Sequence, residues 1–213
     1  SETTLRFIAT SDWPRHRASM EGYGTFRKSL SGAEIKDFSA GLSGDAEFEI
    51  SESFRILAAL DYSSAPESAS SPVTIVGTVS RPIRHVIGGS LGVEKDVGKL
   101  RFGLTGALNR EIFGNAELSS GGTLSQTDRN STLATVALRG GYEISPALVP
   151  FVELEAGGRY YQLDRDTAGY ARSANRFAAR AGVELDLGEK VGGEISAGWV
   201  QERPDDRRLA SIS

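Results

Sequence analysis

Gly88-Gly89-Ser90-Leu91-Gly92 has the G-x-S-x-G spacing of serine hydrolases. That spacing carries nucleophilic chemistry only at a strained strand-to-helix turn that exposes the serine. The surrounding residues alternate as a strand and no helical pattern follows, so Ser90 reads as an inward side chain among strand glycines. Gly92 to Gly98-Lys99 misses the phosphate-loop pattern, because five residues intervene where four are needed and Leu100 replaces the Ser or Thr. His16 and His85 are the only imidazoles, and there is no cysteine. That leaves little for acid–base pairs and removes disulfides, cysteine–zinc sites and thiol nucleophiles. No catalytic residue, metal site or cofactor is expected. A barrel enzyme acting on lipid or peptide would need a better placed histidine. His16 adjoins a short turn, and His85 has the apolar parity beside Arg84.

The richer constellation is one of opposite charges at strand spacing. Counting back from the turns sets Glu49 opposite Arg55, Glu94 opposite Arg101 and Arg139 opposite Glu153. Facing opposite charges on paired strands contribute roughly 0.2–1 kcal/mol each. Glu155, Arg159, Arg180, Glu184 and Glu194 share their parity. These are the expected lumen-facing charges, fixing register or lining a passage for polar solutes or sugar chains. Glu143, Glu155, Glu184, Asp186, Glu194 and Glu202 read as uncompensated negative charge, which would give an open lumen a mild cation preference.

The elements that must position these charges are strands. From Asp37 to Ile50, Phe38, Ala40, Leu42, Gly44, Ala46, Phe48 and Ile50 take one face, and Asp37, Ser39, Ser43, Asp45, Glu47 and Glu49 the other. After Ser51-Glu52-Ser53 the alternation resumes with Phe54, Ile56, Ala58, Leu60 and Tyr62. Similar hairpins turn at Asp96–Gly98, Ser145–Leu148 and Gly188–Lys190, and a leading pair flanks Asp12-Trp13-Pro14-Arg15. Longer polar loops alternate with these turns at Lys28–Lys36, Ser63–Pro82, Gly114–Arg129 and Gln162–Ser173. The count is about ten strands in an up-and-down meander.

Composition narrows the class. The 213 residues have formal net charge −4 and 39% hydrophobic content. Mean hydropathy is −0.25, with no run approaching a membrane-spanning helix. The acidic balance argues against nucleic acid as a partner. The chain opens at Ser1-Glu2-Thr3-Thr4 with no signal-peptide pattern, which is expected either of a processed precursor or of an excerpt.

Long antiparallel alternation suits either a soluble sandwich or a transmembrane barrel. Strand length, short turns opposite long loops, and an apolar face rich in Ala, Gly and Leu favour the barrel. Its aromatics Phe54, Tyr62, Tyr142, Tyr160 and Trp199 should fall near strand ends, where interfacial girdles sit. Phe38, Leu42, Phe48, Ile56, Leu60, Leu91, Phe102, Leu104, Val136, Leu138, Leu154, Val183, Leu185 and Ile195 should point outward. Arg110 breaks the rule that charges keep to the polar face, but it lies beside a long loop.

Several short pieces resemble the outer-membrane β-barrel porin family known as beta-barrel porin 2, found in Gram-negative bacteria. They are Ser11-Asp12-Trp13-Pro14-Arg15-His16, Asp128-Arg129, Gly141-Tyr142-Glu143-Ile144-Ser145-Pro146, Gly169-Tyr170-Ala171-Arg172 and Gly198-Trp199. The resemblance implies an outer-membrane location and no catalytic residues, and some such proteins accompany exopolysaccharide production. It also implies a longer chain, so residues 1–213 read as one barrel segment, incomplete at both ends. Leu209-Ala210-Ser211-Ile212-Ser213 looks like the start of a further strand. The expected fold is therefore all-β, an antiparallel up-and-down transmembrane β-barrel. Its expected role is a pore or an outer-membrane component of envelope or exopolysaccharide export. Outer-membrane lipid, and polysaccharide or small polar solutes, are the expected partners. A barrel enzyme and a soluble β-rich adhesion or binding module remain the alternatives.

Overall fold

The computed structural model describes residues 1–11, 13–28, 36–67, 81–186, 188 and 191–212. In chain order the strands are β1 (Glu2–Thr10), β2 (His16–Lys28), β3 (Lys36–Ser51), β4 (Phe54–Pro66), β5 (Ile83–Val97) and β6 (Leu100–Phe113). The short β7 (Ala116–Glu117) and β8 (Thr123–Leu124) follow. Then come β9 (Ser131–Tyr142), β10 (Leu148–Tyr161), β11 (Ala174–Asp186) and β12 (Gly192–Pro204). All but β7 and β8 form a 10-stranded sheet in sequence order. Every pairing in it is antiparallel. Among the described residues there is no α-helix, only a 3-10 turn at Thr127–Arg129. The sheet is an unclosed barrel wall, with β1 and β12 at its edges.

Strand lengths of 9 to 16 residues reach what a tilted strand needs to cross the hydrocarbon layer. The tilt is visible in the register. One cross-strand row starts at His16, the first residue of β2, and passes through Phe48, Ile56, Val93, Leu104, Leu138, Leu154 and Ala179 to Trp199. It begins at the short-turn end of β2 and arrives past the midpoint of β12, the stagger that barrel closure demands.

The two faces differ as period two requires. The expected outward residues share one face, and Leu60, Leu91, Leu104, Leu138, Leu154 and Ile195 are all exposed there. The described residues hold few buried apolar side chains, chiefly Ala116, Val149, Phe151 and Ala174. A soluble sandwich would bury the leucine face, and among the described residues nothing packs on it. Phe54 and Tyr142 lie at the short-turn end, and Tyr62 and Tyr160 near the long-loop end. Trp199 does not fit the girdle: it stands mid-strand in β12, because the tilted rows have climbed by that point.

Boundaries also differ from expectation. β4 continues past Ser63 to Pro66, because Ser64 and Ala65 pair with His85 and Arg84 despite their loop-like composition. The loop Gly114–Arg129 holds the β7–β8 pair, turned through Gly121 and Gly122 at φ 82° and 100°. Ile212 exchanges both backbone hydrogen bonds with Glu202 on β12, at 2.9 and 3.0 Å. Asp12, most of loop Lys28–Lys36, most of Ser63–Pro82, Leu187, Glu189, Lys190 and Ser213 lie outside the described residues.

Candidate functional site

The candidate site is the polar face itself, built from alternate residues of each long strand. Within the ten-stranded sheet every carboxylate lies on this face. Register draws a charged row across it: Glu49, Arg55, Glu94, Gly103, Arg139, Glu153, Arg180 and Gly198 are successive partners from β3 to β12. Charge alternates along the row, so each arginine meets carboxylates on both sides or diagonally.

Glu49 does stand opposite Arg55, and Arg139 opposite Glu153. Several ion pairs, however, join other partners than those oppositions, some directly across and some on diagonals. Arg55 reaches Glu94 at 2.9 Å and Glu47 at 3.9 Å rather than Glu49. Glu94 is not opposite Arg101, because Gly98 takes φ 61° and closes a tighter turn. That brings Asp96 opposite Arg101 and Gly103 opposite Glu94. Arg101 instead meets Glu143 at 2.7 Å, Glu184 at 3.7 Å and Asp96 at 4.0 Å.

Arg139 is the hub. Its guanidinium is 2.6 Å from Glu184, 2.8 Å from Glu194 and 3.8 Å from Glu153. Arg180 closes the chain with Glu153 at 2.7 Å and Glu194 at 3.0 Å. Arg176 holds Glu155 at 2.9 Å, and Arg159 holds Glu202 at 2.8 Å. Glu143, Glu155, Glu184, Glu194 and Glu202 are thus compensated, contrary to the sequence reading. Arginine's reach across two strands explains the difference, and its planar fork serves several carboxylates at once. Arg17, Glu47, Asp96, Phe151 and Arg176 belong to the site but were absent from the expected set. Their parity in the sequence was the available signal.

Three aromatic rings on this side are capped by guanidinium planes, whereas Tyr23 stays exposed beside Gly41. Arg139 lies 3.4 Å over Phe151, Arg129 3.9 Å over Phe113 and Arg172 4.4 Å over Tyr161. Desolvated cation–π stacks of this kind contribute up to about 2 kcal/mol. From β6 to β11 the face therefore presents charge over its rings.

At the long-loop end, side chains lace consecutive loops together. Arg129 pairs with Glu67, Asn130 bonds Gln162, and Arg172 donates to the Asp128 carbonyl while meeting Asp166 of its own loop at 3.4 Å. Beyond β12, Asp206 accepts from Arg208 Nη2 at 2.6 Å and from the Ala171 amide at 3.3 Å. The Arg208 guanidinium holds the Asp206 carboxyl well below the usual carboxylate range. A depressed folded value means the stabilisation is present above the ordinary value and lost only as pH falls through the lower one. Asp206→Asn should therefore speed hydrogen exchange at the Ala171 amide at pH 7. In strong acid the difference from wild type should vanish; a difference independent of pH would contradict the pairing.

Enzyme-like motifs do not assemble. Ser90 sits in β5 on the polar face, between Ala59 and Ala107. His85 belongs to the opposite face, against Tyr62, and His16 packs on Phe48 beside the first turn.

Among curated proteins and among solved structures, none matches this chain. A family does match, "Putative beta-barrel porin 2", over residues 1–213. The match brings a family and no substrate. With a meander of membrane-length strands, one apolar exposed face and one charged face, the chain belongs to this β-barrel porin family.

Proposed function

We propose that the chain forms the wall of a non-enzymatic outer-membrane pore for small polar solutes, its polar face lining the passage and its apolar face meeting lipid. The partition of charge carries this reading: carboxylates and all but a few end-placed cations share one face, while leucines stay exposed on the other. Transmembrane barrels make that partition because an Arg or Lys at the lipid midplane costs about 2–4 kcal/mol. In this reading, strands additional to these ten close the cylinder between the free edges of β1 and β12. Carboxylates outnumber arginines on the polar face, so the passage favours cations.

The test is conductance of the complete protein in planar bilayers. Ser90→Ala, His16→Ala and His85→Ala should each leave conductance nearly unchanged, since none contributes to the charged row. An assembled complete protein that never conducts would contradict the pore. A lipid- or peptide-cleaving activity abolished by His85→Ala would replace it with an enzyme.

A further inference from the structure

On the apolar face of the sheet, among the described side chains, there is no carboxylate, and the charges are the cations Lys28, Lys95, Arg110 and Arg203. Arg110 differs from the arginines of the polar face. Each of those has a carboxylate within ion-pair distance, whereas among the described residues Arg110 meets only the Thr132 hydroxyl, at 3.2 Å from Nη1. An unpaired outward guanidinium near the end of β6 is tolerable only at interfacial height, and it then faces headgroups.

Its surroundings are built for more than tolerance. Tyr62, Ile87, Arg110, Thr132 and Tyr160 form one continuous cross-strand row over β4, β5, β6, β9 and β10. At strand spacing the Tyr62 backbone stands roughly 10 Å to one side of the arginine. On the other side is the Thr132 hydroxyl, and the Tyr160 ring folds down over Gly158. His85 adds a second fixed polar group: its Nδ1 is 3.0 Å from Tyr62 Oη and the rings stack at 18°. Directly below this row, toward the short-turn end, lies a shallow groove of about 530 Å³. Gly89, Gly106, Ala134 and Ala156 floor it, Leu108 and Val136 line it, and the Tyr160 ring, folded over Gly158, walls one side. A cation and hydroxyls above, with an apolar channel running down from them, match one amphiphile with a phosphorylated polar head.

We propose that this patch binds one phosphorylated glycolipid of the leaflet facing the long loops. Its phosphate pairs with Arg110, its sugar lies against Tyr62–His85 and the Thr132 hydroxyl, and one acyl chain occupies the groove beside the Tyr160 ring. Arginine's fork takes phosphate in a bidentate manner, and no carboxylate on this face competes. A glycolipid fits better than a glycerophospholipid because hydroxyl-bearing and imidazole groups flank the cation on both sides, more than a lone phosphodiester uses. The assignment rests on the outer-membrane reading above, in which short turns face the periplasm.

The experiment measures lipid retention by the complete, assembled protein using native mass spectrometry. Bisphosphorylated lipid A, its dephosphorylated form, phosphatidylglycerol and inorganic phosphate are the probes. Wild type should retain bisphosphorylated lipid A at least tenfold better than the other three. Arg110→Gln should abolish that preference, and Arg110→Lys should keep part of it. Gly106→Leu tests the groove separately. A Cβ at Gly106 meets nothing within 4 Å, so the leucine fits the fold while filling the channel. It should weaken lipid A retention and leave assembly intact. Equal retention by wild type and Arg110→Gln, equal binding of phosphatidylglycerol, binding of inorganic phosphate alone, or an indifferent Gly106→Leu would each overturn the assignment. Heat-modifiable electrophoretic mobility checks assembly first. A chain that never inserts in the outer membrane fails the pore reading, whereas an inserted chain without the preference fails only this one.

Discussion

Leu104→Arg is expected to block accumulation of assembled protein in the outer membrane, while Thr105→Arg on the neighbouring position is tolerated. Leu104 is 48% exposed on the apolar face, between Val93 and Leu138 in the register. A guanidinium there finds no carboxylate on its own face, and the lipid penalty is about 2–4 kcal/mol. That is a large share of the margin by which folded proteins are stable. Thr105 points the other way, between Gly92 and Ala137, with Glu94 and Glu155 on the same face nearby. An arginine there has small neighbours to make room and carboxylates to meet. The readout is the heat-shifted band on semi-native gels from membrane fractions. Equal loss at both positions, or equal tolerance, would contradict the lipid assignment of the leucine face.

Such paired predictions are possible because the faces were legible in the sequence, whereas the contacts across them were only partly so. Period two fixes the face of a residue wherever strand continuity is unbroken, and Asp37 to Ile50 alternates without a slip. Register across a turn depends on how many residues the turn consumes, which polarity does not reveal. The Glu49–Arg55 and Arg139–Glu153 oppositions were readable, but Asp96–Arg101 was not, because Gly98 closes a tighter turn than Asp96–Gly98 suggests. Ser64 and Ala65 looked like loop, yet β5 offers them a complete set of backbone partners. The diagonal ion pairs were further out of reach. Nothing in the local sequence links Arg139 to Glu184 or Glu194, which come from strands two and three positions away in the sheet.

Arg139→Glu should be the most damaging single change on the polar face, and its damage should be of two kinds. The guanidinium now holds Glu153, Glu184 and Glu194 together and lies 3.4 Å over the Phe151 ring. Replacing it with a carboxylate puts a fourth negative group among three that have just lost a shared cation. Arg180 and Arg101 are the remaining cations in reach, and each already serves carboxylates of its own. Removing one partner from a well-desolvated ion-pair network costs about 3–5 kcal/mol, and the partial exposure of these side chains places the expected cost below that. Like charges on facing positions then add repulsion. The assembled protein should therefore lose its heat-shifted band at a lower temperature than wild type. In the fraction that does assemble, reversal potentials under a salt gradient should move towards stronger cation preference, and Arg101→Glu with Arg139→Glu should move them further. Arg139→Gln separates the two effects: it removes the hub without adding charge, so stability should fall while selectivity moves only part of the way. A protein whose selectivity is the same in all three variants does not pass ions along this face.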